Sequence, residues 1–438
     1  MNLHYKRVFK SVFVLSLIIF FTVLCFNAYS QDSNDINDLY NFGKDNYDAY
    51  KTAPEKSFNN IAAQDSTKKD KSKDTSKTIL SSLNSKSTIN ELDTATFKVN
   101  QVKFFGYPYV FYTPETEFAF GLGGMVYFRT AISPSQRPSK ILVSAYYTTN
   151  EQYYITVQPK LYFPGTKRVY VEAKVYFSNE LKKFYGIGNA VQDLAYNDYS
   201  YKSQSFGVYG EVLGKGIVFE DMQIGLTYDY YNMVMKDKMT NPFLNDSTST
   251  VAGINGGKVG GIGIIWSYDS RDNVSFPSKG GYYKMSETIY GKGFASDFTY
   301  TKFKLDFKQF IMPIKEHILA CELYSMLTTG TPPFHGMPLV GGASIMRGYY
   351  EGRYRDKNYI AGQFEYRKIL FWRIGMTAFY SAGEVFDNFG NMEIAQVRSA
   401  FGLGLRFVFD PKEKLNLRVD FAKTNESTGV YFGVDEAF

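Results

Sequence analysis

From about residue 101 to the end of the chain, apolar and polar residues alternate with a period of two, in successive segments of roughly ten residues. The pattern is plainest in 167–178, 297–311, 397–410 and 413–424. A two-residue period places the apolar side chains of a β-strand on one face. After residue 30, no apolar stretch reaches the ~20 residues that a membrane-spanning helix needs. If this part of the chain lies in a membrane, it must therefore span it as a closed barrel.

A soluble β-sandwich would show the same alternation, and strand length separates the two classes. Strands of soluble proteins average about five or six residues, whereas membrane-spanning strands need about nine to eleven. The chain has 37 Tyr and 38 Phe but only 2 Trp, dispersed among polar residues. This composition is typical of strands with one apolar and one wet face. We therefore predict an all-β fold, a transmembrane antiparallel β-barrel over 101–438.

The barrel is predicted to have about sixteen strands, and an even number is usual in bacterial barrels. The predicted strands cover 102–112, 118–129, 140–150, 152–162, 167–178, 202–213, 217–231, 256–270, 280–292, 297–311, 316–328, 356–369, 371–382, 397–410, 413–424 and 428–438. After the sixth strand, tight connections alternate with long ones. This asymmetry is expected when short turns lie on the periplasmic side and long loops lie outside.

Residues 1–30 have the features of a secretory signal peptide. Basic residues precede an apolar run over 11–24, and the small residues Ala28 and Ser30 mark a cleavage site. An uncleaved anchor and a lipoprotein signal at Cys25 are the alternatives. The apolar run is shorter than the ~20 residues that a membrane anchor needs.

Residues 31–100 are predicted to be a polar, mostly disordered periplasmic tether. They are rich in Ser, Lys, Asp, Asn and Thr and lack sustained periodicity, so they have little with which to build a core. Once 1–30 is removed, Cys321 is the only cysteine, and no intramolecular disulfide is expected. The formal net charge of +6 is spread along the chain without a basic stripe. That distribution argues against a nucleic-acid partner.

The sequence offers no arrangement typical of an enzyme. His317 and His335 are the only histidines after the predicted signal peptide, too few for a zinc site with its usual three or four ligands. The glycines around Ser344 have the wrong spacing for a nucleophile elbow. We predict no catalytic residue, no metal site and no cofactor.

Five segments carry recognisable motifs. They are DSRDNVSFPSKG over 269–280, the stretch 341–367 beginning GGASIMRGY, FEYR over 364–367, YSAGEVF over 380–386, and 398–406. Taken alone, the second could be a surface loop with turn glycines and solvated arginines. Together and in this order, the five resemble the bacterial surface-antigen barrels, the superfamily of BamA and TamA. The resemblance extends over the whole predicted barrel.

The resemblance implies a periplasmic turn and an inserted loop. The turn motif is matched by Asp269, Arg271, Asp272, Asn273, Phe276, Pro277 and Gly280. In the family, the arginine of the loop motif reaches into the lumen and meets acidic groups on the following strands. Arg347, followed by Gly348 and Tyr349, takes its place here. Arg347 is therefore expected to act as a latch that holds the loop inside.

Three positions are candidate partners of this latch. Glu365 has inward parity and is expected to be the first acceptor. Ser381 stands where the family carries an aspartate, and a hydroxyl cannot form a bidentate pair with arginine. Asp420 also has inward parity and is the candidate for a second acceptor.

The last predicted strand would close the barrel against the first. Phe438 shares the parity of its lipid-facing residues, so an aromatic C-terminal signal on the lipid side is expected there. Gly429 and Gly433 lie in the same strand, and glycine weakens strand pairing. These residues are expected to make the seam between the first and last strands labile.

The resemblance implies a protein of the Gram-negative outer membrane that assists outer-membrane assembly, or the transport of protein or lipid, through this seam. Family insertases carry periplasmic POTRA domains, and 31–100 is too short and polar to resemble one. Besides the lipid bilayer, the expected partners are therefore envelope assembly components supplied in trans. A passive narrow pore and a surface-exposed structural or adhesin barrel are the alternatives.

Overall fold

The computed structural model describes residues 102–113, 116–128, 139–163, 169–189, 191, 199–215, 222–411 and 414–438. The predicted signal peptide of 1–30 and the tether of 31–100 lie outside these residues. None of the helices in the described ranges is long and apolar enough to cross a membrane.

The described residues form eighteen strands, sixteen of which make up one antiparallel sheet. In chain order they are β1 (Lys103–Thr113), β2 (Glu117–Phe128), β3 (Ser139–Thr148), β4 (Tyr153–Tyr162), β5 (Tyr170–Lys183), β6 (Ser200–Lys215), β7 (Met222–Asp237), β8 (Gly256–Asp269), β9 (Gly280–Tyr290), β10 (Tyr300–Ile314), β11 (His317–Gly330), β12 (Leu339–Val340), β13 (Tyr354–Arg355), β14 (Asn358–Phe371), β15 (Ile374–Phe386), β16 (Arg398–Asp410), β17 (Leu415–Thr424) and β18 (Thr428–Val434). Neighbouring strands of this sheet follow each other along the chain, except that β11 pairs with β14. The two strands between them, β12 and β13, pair with each other in a separate sheet. The prediction of an all-β fold with about sixteen strands is confirmed.

The observed strands overlap the predicted ones, and the differences fall mainly at strand ends. β5 continues to Lys183 and β7 to Asp237, beyond the predicted ends at 178 and 231. β6 pairs with both extensions, through Lys183↔Ser200 and Lys202↔Asp237. Beyond the membrane-facing part, a strand has no need of one apolar face, so the alternation that reveals a strand is lost there.

Connections at the two ends of the sheet differ in length. One end, called the turn end below, holds the connections between β8 and β9, β10 and β11, and β14 and β15. The other, called the loop end, holds the longer connections between β5 and β6, β7 and β8, β11 and β14, and β15 and β16. The connection between β11 and β14, residues 331–357, contains β12 and β13 and is called the inserted loop.

The two faces of the sheet differ in polarity. Outward side chains such as Leu226, Ile264 and Leu403 are 56%, 62% and 60% exposed. Inward side chains include ion pairs. In one of them, Lys284 Nζ lies 2.6 Å from Glu211 Oε1. An apolar outer face around a polar interior is the arrangement that a barrel needs in a bilayer.

The first and last strands form a seam. β1 and β18 lie side by side, but among the described residues no hydrogen-bonded ladder joins them. β18 is also short, and it pairs with β17 only from Lys423↔Thr428 to Leu417↔Val434. The barrel is thus continuous in hydrogen bonding everywhere except at this seam.

The prediction that Phe438 faces lipid is wrong. β18 ends at Val434, and Asp435 adopts a positive φ of 66°, which turns the last residues away from the strand direction. Phe438 is only 8% exposed and packs against Phe310 and Ala320. A period-two parity argument holds only while the chain remains a strand, and the turn at Asp435 breaks that condition.

Candidate functional site

The inserted loop folds back on itself before it enters the barrel. β12 and β13 pair through Leu339↔Arg355 and Val340↔Tyr354, so the segment between them forms a closed finger. Gly341, at the base of the finger, has a φ of 103°, and a Cβ there would lie 2.5 Å from the carbonyl oxygen of Tyr350. Only glycine permits this close return of the chain.

The finger is packed against the barrel wall by an apolar cluster. Its buried members are Val340, Met346, Tyr349, Tyr354, Tyr359, Ala361, Val385 and Ala400, which come from the loop and from β14, β15 and β16. The Tyr349 hydroxyl also donates a hydrogen bond of 3.2 Å to the carbonyl oxygen of Ser399. This packing positions the neighbouring arginine over the interior of the barrel.

Arg347 is fully buried and lies between two carboxylates. Its Nη1 is 2.7 Å from Asp420 Oδ2, and its Nη2 pairs with Glu365 Oε1. The guanidinium carbon lies 3.6 Å from the centroid of the Phe379 ring, within cation–π distance. Burial alone would lower the pKa of Arg347, but Glu365 and Asp420 outweigh it and raise that pKa above its ordinary value. Arg347 therefore stays charged.

Three further arginines extend this pair into a network. Arg406 Nη1 and Arg418 Nη1 each lie 2.6 Å from a carboxylate oxygen of Asp420. Arg367 Nε lies 2.8 Å from Glu365 Oε2, and Glu436 accepts from Arg406 Nε at 2.7 Å. The network is buried, and Arg367 Nη2 also donates to Phe438 O at 3.1 Å. Removing one carboxylate would leave buried cations with fewer partners, which is costly.

Ser381 does not contact Arg347. It lies on β15, is 1% exposed, and its hydroxyl points to the carbonyl oxygen of Ala400 at 3.5 Å. The inward residue of β15 beneath Arg347 is Phe379, which provides an aromatic face instead of a carboxylate. The second carboxylate comes from β17, as Asp420.

Two glycines that the sequence reasoning did not select make room for the network. A Cβ on Gly402 would lie 2.4 Å from the Phe379 ring, and one on Gly404 would lie 2.2 Å from Asp420 Oδ1. Arg367, Arg406, Arg418, Glu436 and Phe379 were also not selected. For Arg418 a signal was present, because it has the same inward parity as Asp420.

Gly348 follows Arg347 with a φ of 111°, and its backbone contacts the last hairpin of the barrel. Its N–H donates to the Tyr431 hydroxyl at 2.9 Å, and its carbonyl oxygen accepts from Ser427 Oγ at 2.6 Å. A Cβ on Gly348 would lie 2.8 Å from Thr424 Cγ2. The loop therefore reaches both the network and the edge of the sheet.

Gly429 and Gly433, predicted to loosen the seam, face inward on β18. A Cβ on Gly433 would lie 2.8 Å from Arg418 Nε, and one on Gly429 would lie 2.7 Å from the Tyr431 ring. Their immediate structural effect is to leave space for these two side chains.

The turn motif between β8 and β9 is held by its own side chains. Arg271 forms a bidentate pair with Asp269, at 2.9 and 3.1 Å. Asp272 accepts backbone N–H groups of residues 273, 278 and 279, and Asn273 accepts those of Ser275 and Phe276. Pro277 is buried. Gly280 has a φ of 89°, and a Cβ there would lie 2.1 Å from the carbonyl oxygen of Ser270.

This turn covers part of the lumen at the turn end. With inward residues of β3 to β9 and with Leu415 of β17 it lines a cavity of about 320 Å³, which contains ion pairs such as Lys160–Glu172 and Arg271–Asp269. Phe276 also lines a small cavity with Arg367 and Arg406. The turn motif and the arginine network thus lie close together inside the barrel.

At the loop end, side chains from three connections pack on inward residues of the sheet. Phe184, Leu244 and Phe334 pack with the inward residues Tyr201 and Met233. The guanidinium of Arg355 lies 5.3 Å from the ring centroids of both Phe184 and Phe334. The three connections therefore share one mostly aromatic cluster at the loop end.

Comparison with known proteins places this geometry among related folds. Residues 137–438 match the Omp85 superfamily domain. No curated protein sequence matches the chain.

Solved structures share the architecture at low sequence identity. BamA from Haemophilus ducreyi lacking POTRA domains 1–3 is 14% identical, with a TM-score of 0.51 over 77% of this chain and 70% of that one. CdiB from Acinetobacter baumannii is 11% identical, with a TM-score of 0.49 over 77% of this chain and 60% of that one. At 14% identity the BamA likeness bears on the fold alone. The CdiB likeness, with a TM-score below 0.5, supports no conclusion about this chain.

Proposed function

This chain belongs to the Omp85 superfamily, and from that premise we propose that it assists the assembly or transport of protein or lipid at the outer membrane. Members of this superfamily are Gram-negative outer-membrane proteins, and we propose the same location for this chain. The assigned role is non-enzymatic: the seam between β1 and β18 opens to the bilayer while the inserted loop keeps the rest of the barrel rigid.

The observation that carries the proposal is the contrast between the seam and the network. Among the described residues, β1 and β18 lack a ladder, whereas Arg347 ties β14 to β17 through fully buried ion pairs. An unpaired strand edge offers free N–H and C=O groups to another strand. An incoming strand could pair there while the buried network holds the remaining strands together.

The predicted tether of 31–100 is proposed to take part in this function. It would contact envelope assembly components supplied in trans, which would deliver the client to the seam. Co-purification from detergent-solubilised outer membranes, with and without residues 31–100, tests this part. Recovery of the same partners without the segment would argue against it.

The experiment for the seam is a reversible lock. In a background without cysteines, a set of cysteine pairs is introduced, one residue on β1 and one on β18. The control pair is Val157→Cys with Val175→Cys, which are opposite each other in the β4–β5 ladder. Each protein is reconstituted in liposomes, and the insertion of a urea-unfolded client barrel and the transfer of lipid are measured.

The seam lock should abolish the acceleration of insertion or transfer, and a reductant should restore it. The control lock should leave the acceleration unchanged. Full activity with the seam locked would contradict the proposed mechanism.

A passive pore is the rival function, and the buried cluster of Phe184, Leu244 and Phe334 speaks against it because it packs on the inward residues Tyr201 and Met233 at the loop end. In planar bilayers we expect no steady conductance. Steady conductance of the unmodified protein, without accelerated insertion or transfer, would favour the pore.

A further inference from the structure

β18 is held differently on its three sides. One edge pairs with β17, and the other faces β1 without a ladder among the described residues. Its lumen side carries Tyr431, which is fully buried and packs with Phe379 and Ala422. Any outward movement of β18 must withdraw Tyr431 from this packing.

Gly348 of the inserted loop contacts both Tyr431 and the turn of the β17–β18 hairpin. The Gly348 N–H donates to the Tyr431 hydroxyl at 2.9 Å, and the Gly348 carbonyl oxygen accepts from Ser427 Oγ at 2.6 Å. Both backbone polar groups of Gly348 are thus hydrogen-bonded, and both partners belong to the β17–β18 hairpin. The φ of 111° at Gly348 directs the backbone in this way.

A second set of contacts reaches the tip of the same hairpin. Arg353 Nε lies 3.1 Å from Glu426 Oε2, and the Tyr354 hydroxyl donates to Glu426 Oε1. Arg398 Nη1 of β16 lies 3.6 Å from Glu426 Oε1. Glu426 is partly exposed, so these ion pairs stabilise less than the buried hydrogen bond between Gly348 and Tyr431.

We propose that Gly348, Tyr431 and Ser427 form a clasp by which the inserted loop holds β18 at the seam. The inference rests on the proposed function, because it concerns the strand that would move when the seam opens. It assigns to Tyr431 and Ser427 a positioning role that is separate from the arginine network. The clasp links the position of the loop to the freedom of the edge strand: when the loop is seated, β18 is restrained.

Hydrogen–deuterium exchange of the full chain in lipid nanodiscs tests the clasp. Tyr431→Phe removes only the hydroxyl that accepts from Gly348. Ser427→Ala removes the other bond, together with the 3.3 Å contact between Ser427 Oγ and Thr424 Oγ1, at an exposed position. Losing one hydrogen bond should raise the exchange rate of amides in 428–434 about fivefold. The control is Tyr290→Phe on β9, which removes a hydroxyl that donates to Asp229 of β7 at 2.7 Å.

Exchange in 428–434 should rise in Tyr431→Phe and in Ser427→Ala and stay at the wild-type rate in Tyr290→Phe. Unchanged exchange in both clasp variants, or an equal rise in the control, would overturn the proposal. If Tyr431→Phe fails to fold, Ser427→Ala alone decides between these outcomes.

Client insertion by the same variants separates this inference from the proposed function. Faster exchange of β18 with an altered insertion rate supports both. Faster exchange with unchanged insertion would leave the clasp standing and contradict the role of the seam. Unchanged exchange refutes the clasp whatever the insertion rate.

Discussion

Arg347 and Asp420 are 73 positions apart in the chain, yet Arg347 Nη1 lies 2.7 Å from Asp420 Oδ2, and both side chains are completely buried. The contact joins the inserted loop to β17, near the edge of the sheet. Together with Glu365 on β14 it makes the loop a cross-brace over the intervening strands β15 and β16. The stability of this brace can be measured directly.

Replacing Arg347 should destabilise the barrel strongly. Arg347→Met leaves Glu365 and Asp420 buried with fewer cations, and breaking a buried ion pair in this way costs about 3–5 kcal/mol. Urea unfolding in detergent micelles measures the loss. The control is Lys160→Met, which breaks a pair with Glu172 at a site where the lysine is 29% exposed; a loss below about 1 kcal/mol is expected there. Equal losses in the two variants would refute the cross-brace.

Asp420 should matter more than Glu365. Asp420 contacts three arginines, Arg347, Arg406 and Arg418, whereas Glu365 contacts Arg347 and Arg367. Asp420→Asn therefore leaves more buried cations undercompensated than Glu365→Gln. Unfolding free energies of the two variants and of the double variant should show this order and a strong coupling between the sites. The reverse order would mean that Glu365 is the main anchor.

Introducing the family's aspartate at Ser381 should not strengthen the latch. Ser381 points to the carbonyl oxygen of Ala400, not to Arg347, so the carboxylate of Ser381→Asp would face an acceptor in a buried site. A loss of about 1–3 kcal/mol is expected. Ser381→Ala, which removes only the weak 3.5 Å contact, should be close to neutral. Higher stability of Ser381→Asp in urea unfolding would show that the side chain can turn toward Arg347.

Gly404 should not tolerate a side chain. A Cβ there would lie 2.2 Å from Asp420 Oδ1 and 2.6 Å from Arg406 Nη1, so Gly404→Ala must displace a buried ion pair. Overpacking of this kind costs about 1–3 kcal/mol or more. Gly210→Ala is the matched control, because a Cβ at Gly210 meets no atom within 4 Å. A neutral Gly404→Ala in thermal unfolding would show that the network can shift without loss.

Acid should loosen the loop end through His335. Its pKa is lowered to about 3, first by burial and then by the positive charges of Arg355 and Lys182. An unfolded histidine binds its proton near pH 6.5. Between these two values the unfolded chain holds more protons than the folded one, so this contribution is present above about pH 6.5 and is lost as pH falls toward 3.

The measurement is the thermal unfolding midpoint from neutral to mildly acidic pH. It should fall more steeply for the wild type than for His335→Gln. Identical slopes in the two proteins would exclude His335 as the source.

The candidate site was accessible from the sequence only in part. The inward parity of Glu365 and Asp420 follows from alternation within their strands. Arg347 was singled out by a motif, since nothing in its local pattern indicates burial. Arg406 was not selected, because its contact with Asp420 depends on the pairing of β16 with β17. Glu436 was not selected, because its contact with Arg406 depends on the path of the chain after β18.

The sequence by itself determined the strands, because the period of two that separates lipid-facing from lumen-facing side chains is a local property of each segment. It also predicted the number of strands in the large sheet, since the predicted segments are long enough to span a bilayer and are bounded by polar connections. Only the tertiary structure decided which charges meet around Arg347, that Ser381 stays apart from them, and that Phe438 turns inward at Asp435. Those outcomes depend on strand register, on the curvature of the whole sheet and on one positive backbone angle, and none of these leaves a periodic trace in the sequence.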